Sequence, residues 1–292
     1  MGGAASARSG APHQYTLQMI LSFAPSASLG SAPLALALVA VLAYAMAMLP
    51  AAAPARWPAP ALVAGWALHG VLLALDVGGW GRIEEGARLG FGPVLSLTVW
   101  LVLAVHTVES RFVPLPGVRR VLAACGAAAV LLAWGFPGAV HPAANAWAPV
   151  HWALGVASYA LFGAAVLHAS MLDAAEGRLR QRDAAAPASG PMGMPLLRLE
   201  RLTFRFVEFG FIVLTLAVLL GALTAGGWRW NHKTVFSLLA WIVFAALMWG
   251  RLRRGWRGRH ATRWLYTGAA LLLLGYAGSR FVFEVVLGRP VA

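Results

Sequence analysis

The stretch FVEFGFIVLTLAVLLGALTA, residues 206–225, holds a single charged residue, Glu208. A helix of about 20 apolar residues spans the hydrocarbon core of a bilayer. It also satisfies its own backbone where water is absent. The stretch therefore reads as a membrane-spanning helix. Seven similar segments lie along the 292-residue chain, roughly over 33–50, 59–77, 91–109, 118–135, 149–172, 234–250 and 261–285. Prolines mark several of the breaks: Pro50, Pro54 and Pro58, then Pro114 and Pro116, then Pro137 and Pro142. Composition agrees, because 60% of the residues are hydrophobic and 11% charged, against about 25% charged in soluble domains. That excludes an ordinary soluble enzyme, a disordered chain and a disulfide scaffold. The single cysteine, Cys125, supports neither an internal disulfide nor a thiolate metal cluster. The expected fold is all-α, a polytopic integral membrane protein built as a bundle of about eight transmembrane helices.

The net charge of +13 comes from 23 basic against 10 acidic residues. Of the basic residues, 16 fall in the loops after the first, third, fifth and seventh segments: Arg56; Arg111–Arg120; Arg178–Arg205; and Arg251–Arg263. By the positive-inside rule those loops are cytoplasmic and both termini lie outside. The excess is then a topology signal, compatible with an anionic-lipid patch at Arg251–Arg263, and no nucleic-acid partner is expected. Residues 1–32 read as a disordered or mis-started tail, with Met19 as a second candidate start. The membrane domain covers 33–292, with a cytoplasmic linker at 173–203 whose centre, DAAAPASGPMGMP (183–195), is the flexible part. There is no strong internal repeat, which argues against an inverted-repeat transporter.

Ionisable groups inside a bilayer are costly and are functional candidates by default. His69 lies in the second segment, His106 in the third, and His151 and His168 at opposite ends of the fifth. At 1.5 Å per residue, His168 lies about 25 Å deeper than His151. The orientation places His69, His151, His141 and His232 in the outer half and leaves His106 and His168 near the cytoplasmic edge. Neutral imidazole is a common axial ligand and a porphyrin suits an apolar cleft, so the outer grouping suits haem. His151, Gly155 and Ser158 share a helix face, as do His69 and Asp76. The competing reading is that each histidine makes a helix–helix hydrogen bond. For His106 the expected partner is Glu109, three residues on.

Most of the 13 tryptophans sit near segment ends, as an aromatic belt would place them. The exception is the outer loop AGGWRWNHKTVFS, residues 225–237. Trp228 and Trp230 offer faces for stacking on a porphyrin, and Arg229 or Lys233 offers a partner for propionates.

Here the chain resembles the cytochrome c assembly family of haem-handling membrane proteins. In that family a tryptophan-rich external loop ends in a pattern like WxWDPKETW, followed by a helix reading ALITWLVYA. The run W-R-W-N-H-K-T (228–234) followed by VFSLLAWIVFAALMW (235–249) has that layout. Trp228, Trp230, Lys233 and Trp241 fall in register. VHWALGVASYALF (150–162) resembles the family's external-histidine helix, which makes His151 the implied haem ligand, and His69 best matches an intramembrane histidine. LLRLERLTFRFVEFGFIVLT (196–215), GWRGRHATRW (255–264) and GYAGSRFVFEVVL (275–287) resemble the short, eight-span branch typified by YpjD and HemX. The signature aspartate is Asn231 here and its proline is His232, and no histidine follows His260 to act as a second external ligand.

The resemblance implies a non-enzymatic haem-binding protein of the bacterial inner membrane that takes part in cytochrome c assembly. His151 and His69 are the expected iron ligands; Trp228, Trp230, His232, Lys233 and Arg229 are expected to shape the haem site. Implied partners are haem, the lipid bilayer and cytochrome c maturation proteins. The alternative is a membrane scaffold or tetrapyrrole-related regulator that kept the fold and lost the haem site. No nucleophile–base set, phosphate loop or carboxylate pair supports a covalent enzyme.

Overall fold

The computed structural model describes residues 31–50, 57–78, 86–109, 116–138, 140–180, 196–224 and 230–287. These form helices α1 (Ser31–Met48), α2 (Pro58–Val77), α3 (Phe91–Glu109), α4 (Pro116–Gly135), α5 (Ala148–Arg180), α6 (Leu196–Thr224), α7 (His232–Arg254) and α8 (Gly258–Leu273). Beyond α8 the chain continues in two wider π turns, Leu274–Gly278 and Phe281–Val286. Seven of the helices are long and apolar enough to cross a membrane. The first, apolar over Pro33–Met48, is shorter. The protein is thus an all-α polytopic membrane protein, as its composition predicts. Among the described residues the strands are two two-residue pieces, β1 (Ala87–Arg88) and β2 (Val140–His141), paired antiparallel with Ala87 opposite His141.

The tail at 1–30 and the linker centre at 181–195 lie outside the described residues. The flanks of the expected linker, however, are helical. Residues 173–180 extend α5 and residues 196–203 begin α6. Tertiary contacts explain why. Asp173 accepts hydrogen bonds from Thr262 and Tyr266 of α8, at 3.0 and 2.8 Å. Leu199 packs with Met171 and Leu172, and Glu200 pairs with Arg251 at 3.4 Å.

Lipid tails are as apolar as leucine, so packing and interhelical hydrogen bonds, rather than the hydrophobic effect, must hold these helices together. Two cores do so. The first half packs α1 to α4 around Tyr44, Leu103 and Leu122. Tyr44 is fully buried because its ring lies across Gly65 of α2 and Gly126 of α4. A Cβ at those positions would come within 2.9 and 2.7 Å of the ring. Its hydroxyl meets His69 Nδ1 at 3.1 Å, and His69 Nε2 meets Ser96 Oγ at 2.7 Å. Hydroxyls can donate or accept, so either imidazole tautomer is satisfied. Nearby, Trp66 and Trp100 stack with centroids 5.2 Å apart, and each indole donates to the other's carbonyl, at 3.2 and 2.9 Å.

The second half packs α5 to α8 around Phe162, Phe204, Phe244 and Leu265. Phe162 and Phe244 stack at 3.8 Å. Contact between α3 and α5 joins the halves. Deeper in the bundle, His168 pairs with Glu109 at 3.1 Å through Nε2. Glu109 therefore hydrogen-bonds His168 on another helix, while its charge still acts on His106, the partner its spacing predicts. Outward-facing Leu38, Leu42, Ile212, Leu216, Leu219 and Ile242 are exposed, as lipid-facing positions must be.

Tyr44→Phe removes one hydroxyl from the Tyr44–His69–Ser96 chain and leaves a buried imidazole nitrogen unpaired. The expected loss is about 1–3 kcal/mol, read as a lowered Tm of the detergent-purified protein. Phe at a lipid-facing site such as Leu216 should leave Tm unchanged.

Candidate functional site

The end of the bundle that carries the β1–β2 clasp also holds a cavity of about 420 Å³, within the usual range for small-molecule sites. Its wall includes β2 through His141, α5 through His151 and Tyr159, α6 through Ala217, α7 through Lys233, and the first π turn through Tyr276, with α3 and α8 also contributing. Most of the wall is apolar. Among the described residues, the charged side chains in it are Lys233 and Arg280, and none is a carboxylate.

His151 occupies the first turns of α5, where its ring lies beside Gly221 of α6. A Cβ there would stand 2.8 Å from the ring's Cε1, so glycine makes the room. Its Nδ1 is 3.0 Å from the Ala217 carbonyl oxygen. A carbonyl can only accept, so Nδ1 carries the proton and Nε2 keeps its lone pair. A backbone carbonyl on one imidazole nitrogen is the usual arrangement that orients the other for a metal. Among the described residues nothing bonds Nε2.

The cationic side of the cavity is set by Tyr276. Its hydroxyl donates to the Leu89 carbonyl at 2.6 Å, which fixes the ring. Lys233 Nζ and the Arg280 guanidinium lie 5.9 and 5.1 Å from the ring centroid, within cation–π reach. Arg280, buried in the wall, also donates to His141 Nε2 at 3.3 Å. On the opposite wall, Tyr159 donates to the Leu272 carbonyl at 2.6 Å. The π turns begin just after Leu272. Widening a helix by one residue per turn re-aims its side chains, and such turns often mark functional sites.

This arrangement sorts the residues expected from sequence. His151 and Lys233 line the cavity together. His69 does not belong to it. Both its ring nitrogens are engaged by Tyr44 and Ser96 inside the first half, so it shares no site with His151. The carboxylate of Asp76, expected on the same cleft as His69, is held by Arg88 at 3.1 Å instead. His232 and Trp230 are exposed and outside the cavity lining, with the His232 ring tilted over Phe283 at 5.5 Å. Trp228 and Arg229 lie outside the described residues. Asn231, at the place of the signature aspartate, caps α7: its side chain accepts from the Thr234 amide at 2.9 Å.

The sequence reading did not assign Arg280, Tyr276, Tyr159 and Gly221 to the site. Arg280 is an arginine inside an apolar segment, a candidate by default, but its i,i+4 spacing to Glu284 equally fits a plain ion pair. No sequence signal marked the other three.

A polytopic helical bundle with a histidine- and cation-lined cavity at one end defines the class. The family model described as cytochrome C assembly protein matches residues 87–287, well over half of the chain, and the chain belongs to that family. Among curated proteins it is similar to the inner membrane protein YpjD of Escherichia coli (strain K12), 33% identical over 140 residues, 47% of this chain and 52% of that protein. It is also similar to the cytochrome c biogenesis protein CcsA of Synechococcus sp. (strain JA-3-3Ab), 30% identical over 107 residues, 33% of this chain and 31% of that protein. The CcsA of Gloeobacter violaceus is 32% identical over 91 residues, 30% and 27% of the two chains. The match thus spans about half the length of YpjD and about a third or less of the CcsA proteins. No solved structure matches the chain.

Asn231→Ala should remove the cap of α7 and lower stability by about 1 kcal/mol, whereas Asn231→Asp should keep it. Thermal unfolding of the two variants in one detergent separates these outcomes.

Proposed function

We propose that this protein handles haem for cytochrome c assembly in the bacterial inner membrane, with the cavity on the external side and both termini outside. The observation that carries the reading is the state of His151: Nδ1 anchored on the Ala217 carbonyl, Nε2 available, in an apolar cavity whose charged groups, among the described residues, are both cations. The donor set suits haem. Neutral imidazole is an iron ligand, the apolar walls suit the macrocycle, and Lys233 and Arg280 match two propionates. Bound haem would supply the iron. The protein's own contribution is to hold and orient it, with His151 as ligand and Lys233 and Arg280 toward the carboxylates. We read the role as non-enzymatic, passing haem on or helping maturation proteins to assemble. Family membership and the relatives named for cytochrome c biogenesis support this reading.

One observation favours a second reading, a scaffold or tetrapyrrole-related regulator without stable haem. Of the two histidines expected on the iron, His69 is already committed on both nitrogens. The visible spectrum of the purified full chain with added haem decides between the two. The haem reading expects a Soret band that weakens at least about tenfold in affinity in His151→Ala, the loss of one strong contact, and that also weakens in Gly221→Leu, which displaces the His151 ring. His69→Ala should lower Tm but keep the band. A wild-type chain that stays colourless with added haem overturns the haem reading and leaves the scaffold.

A further inference from the structure

At the opposite end of the second half, α7 and α8 meet in a tight corner. Gly255, with φ +63°, takes the left-handed conformation that ends α7, and the Trp256 amide donates back to the Gly250 carbonyl at 3.3 Å. The Trp256 ring packs over Gly250 and against Trp264 at 5.4 Å. The corner is therefore held in one shape, and the arginines at the end of α7 and the start of α8 are displayed together.

Those arginines divide into two sets. Arg251 turns inward, stacks 3.4 Å over the Phe204 ring and pairs with Glu200 at 3.4 Å. Arg257 reaches the same carboxylate at 3.9 Å. Asp173 is occupied by Thr262 and Tyr266 of α8, and the Glu176 carboxylate lies against Gly258. Arg253, Arg254, Arg259 and Arg263 are exposed and have no carboxylate partner among the described residues. Beside them the surface is apolar. Leu252 and Trp249 are 78% and 60% exposed, and the Arg253 guanidinium lies 4.9 Å from the Trp249 ring.

Four unneutralised guanidinium groups next to an exposed leucine and tryptophan, at the end of two membrane helices, form a two-part surface. The apolar pair belongs at the level of the acyl chains, and the arginines at the level of the phosphates. Guanidinium binds phosphate oxygens in bidentate geometry. We propose that the α7–α8 corner binds anionic phospholipid headgroups, with Arg253, Arg254, Arg259 and Arg263 on the phosphates and Trp249 and Leu252 against the acyl chains. A soluble phosphate compound would use the arginines and leave the apolar pair in water, so the lipid is the occupant that accounts for both halves of the surface.

The test uses the full chain in nanodiscs of phosphatidylcholine, with or without phosphatidylglycerol. Tm should be higher in the anionic discs, and native mass spectrometry from mixed micelles should show phosphatidylglycerol retained over phosphatidylcholine by about tenfold or more, as several basic groups near a phosphate surface imply. The variant R253Q/R254Q/R259Q/R263Q should lose both preferences and melt with the wild type in phosphatidylcholine alone. Should it not fold, R253Q/R254Q and R259Q/R263Q are each expected to reduce the preference severalfold. Phosphatidylglycerol retention unchanged in the variants overturns the proposal. So does a Tm rise of equal size when glycerol phosphate is added to phosphatidylcholine discs, since that assigns the arginines to a soluble phosphate.

Discussion

Inside a bilayer a polar side chain has no water to fall back on, so a buried histidine, tyrosine or carboxylate is held where a partner on another helix can reach it. That constraint explains more of the bundle than apolar packing does, because lipid competes with protein for leucine on nearly equal terms. The Tyr44–His69–Ser96 chain ties three helices of the first half together. Asp173 ties α5 to α8 through Thr262 and Tyr266. His168 and Glu109 join α5 to α3, the seam between the halves. Each partnership crosses helices, so each fixes a rotation as well as a contact.

The same constraint separates structural histidines from the candidate ligand. His69 is fully buried and bonded on both nitrogens, and a ring in that state is part of the scaffold. His151 is bonded on one nitrogen only and stands in a cavity wall. Burial and depth would have ranked His69 first. The count of bonded nitrogens reverses that order. A second feature follows from Tyr276, which lies on the π turn and has two cations near its ring. Tyr276 and Arg280 are four residues apart, so they share one face of the chain and reach the same wall.

The two ends of the second half differ in how they treat positive charge. At the cavity, Lys233 and Arg280 are drawn inward, against an aromatic ring and a histidine. At the α7–α8 corner, two arginines pair with Glu200 and four others face out beside apolar surface. An outward row of them selects a surface.

The sequence by itself determined the class and the segment count. Apolar runs of bilayer length leave a helix as the one available structure, and that rule acts within each segment without reference to its neighbours. It also singled out His151 and Lys233, which sit in local motifs at segment starts and which the fold brings to one cavity. What only tertiary structure decided is which nitrogen is free, which residues share a wall and where the linker ends. Those depend on helix rotation and on contacts between residues far apart in the chain: Ala217 with His151, Leu89 with Tyr276, His141 with Arg280. Hydrophobic periodicity is nearly silent on rotation when most faces of a helix are apolar, so partners set by hydrogen bonds across the bundle had to be seen to be known.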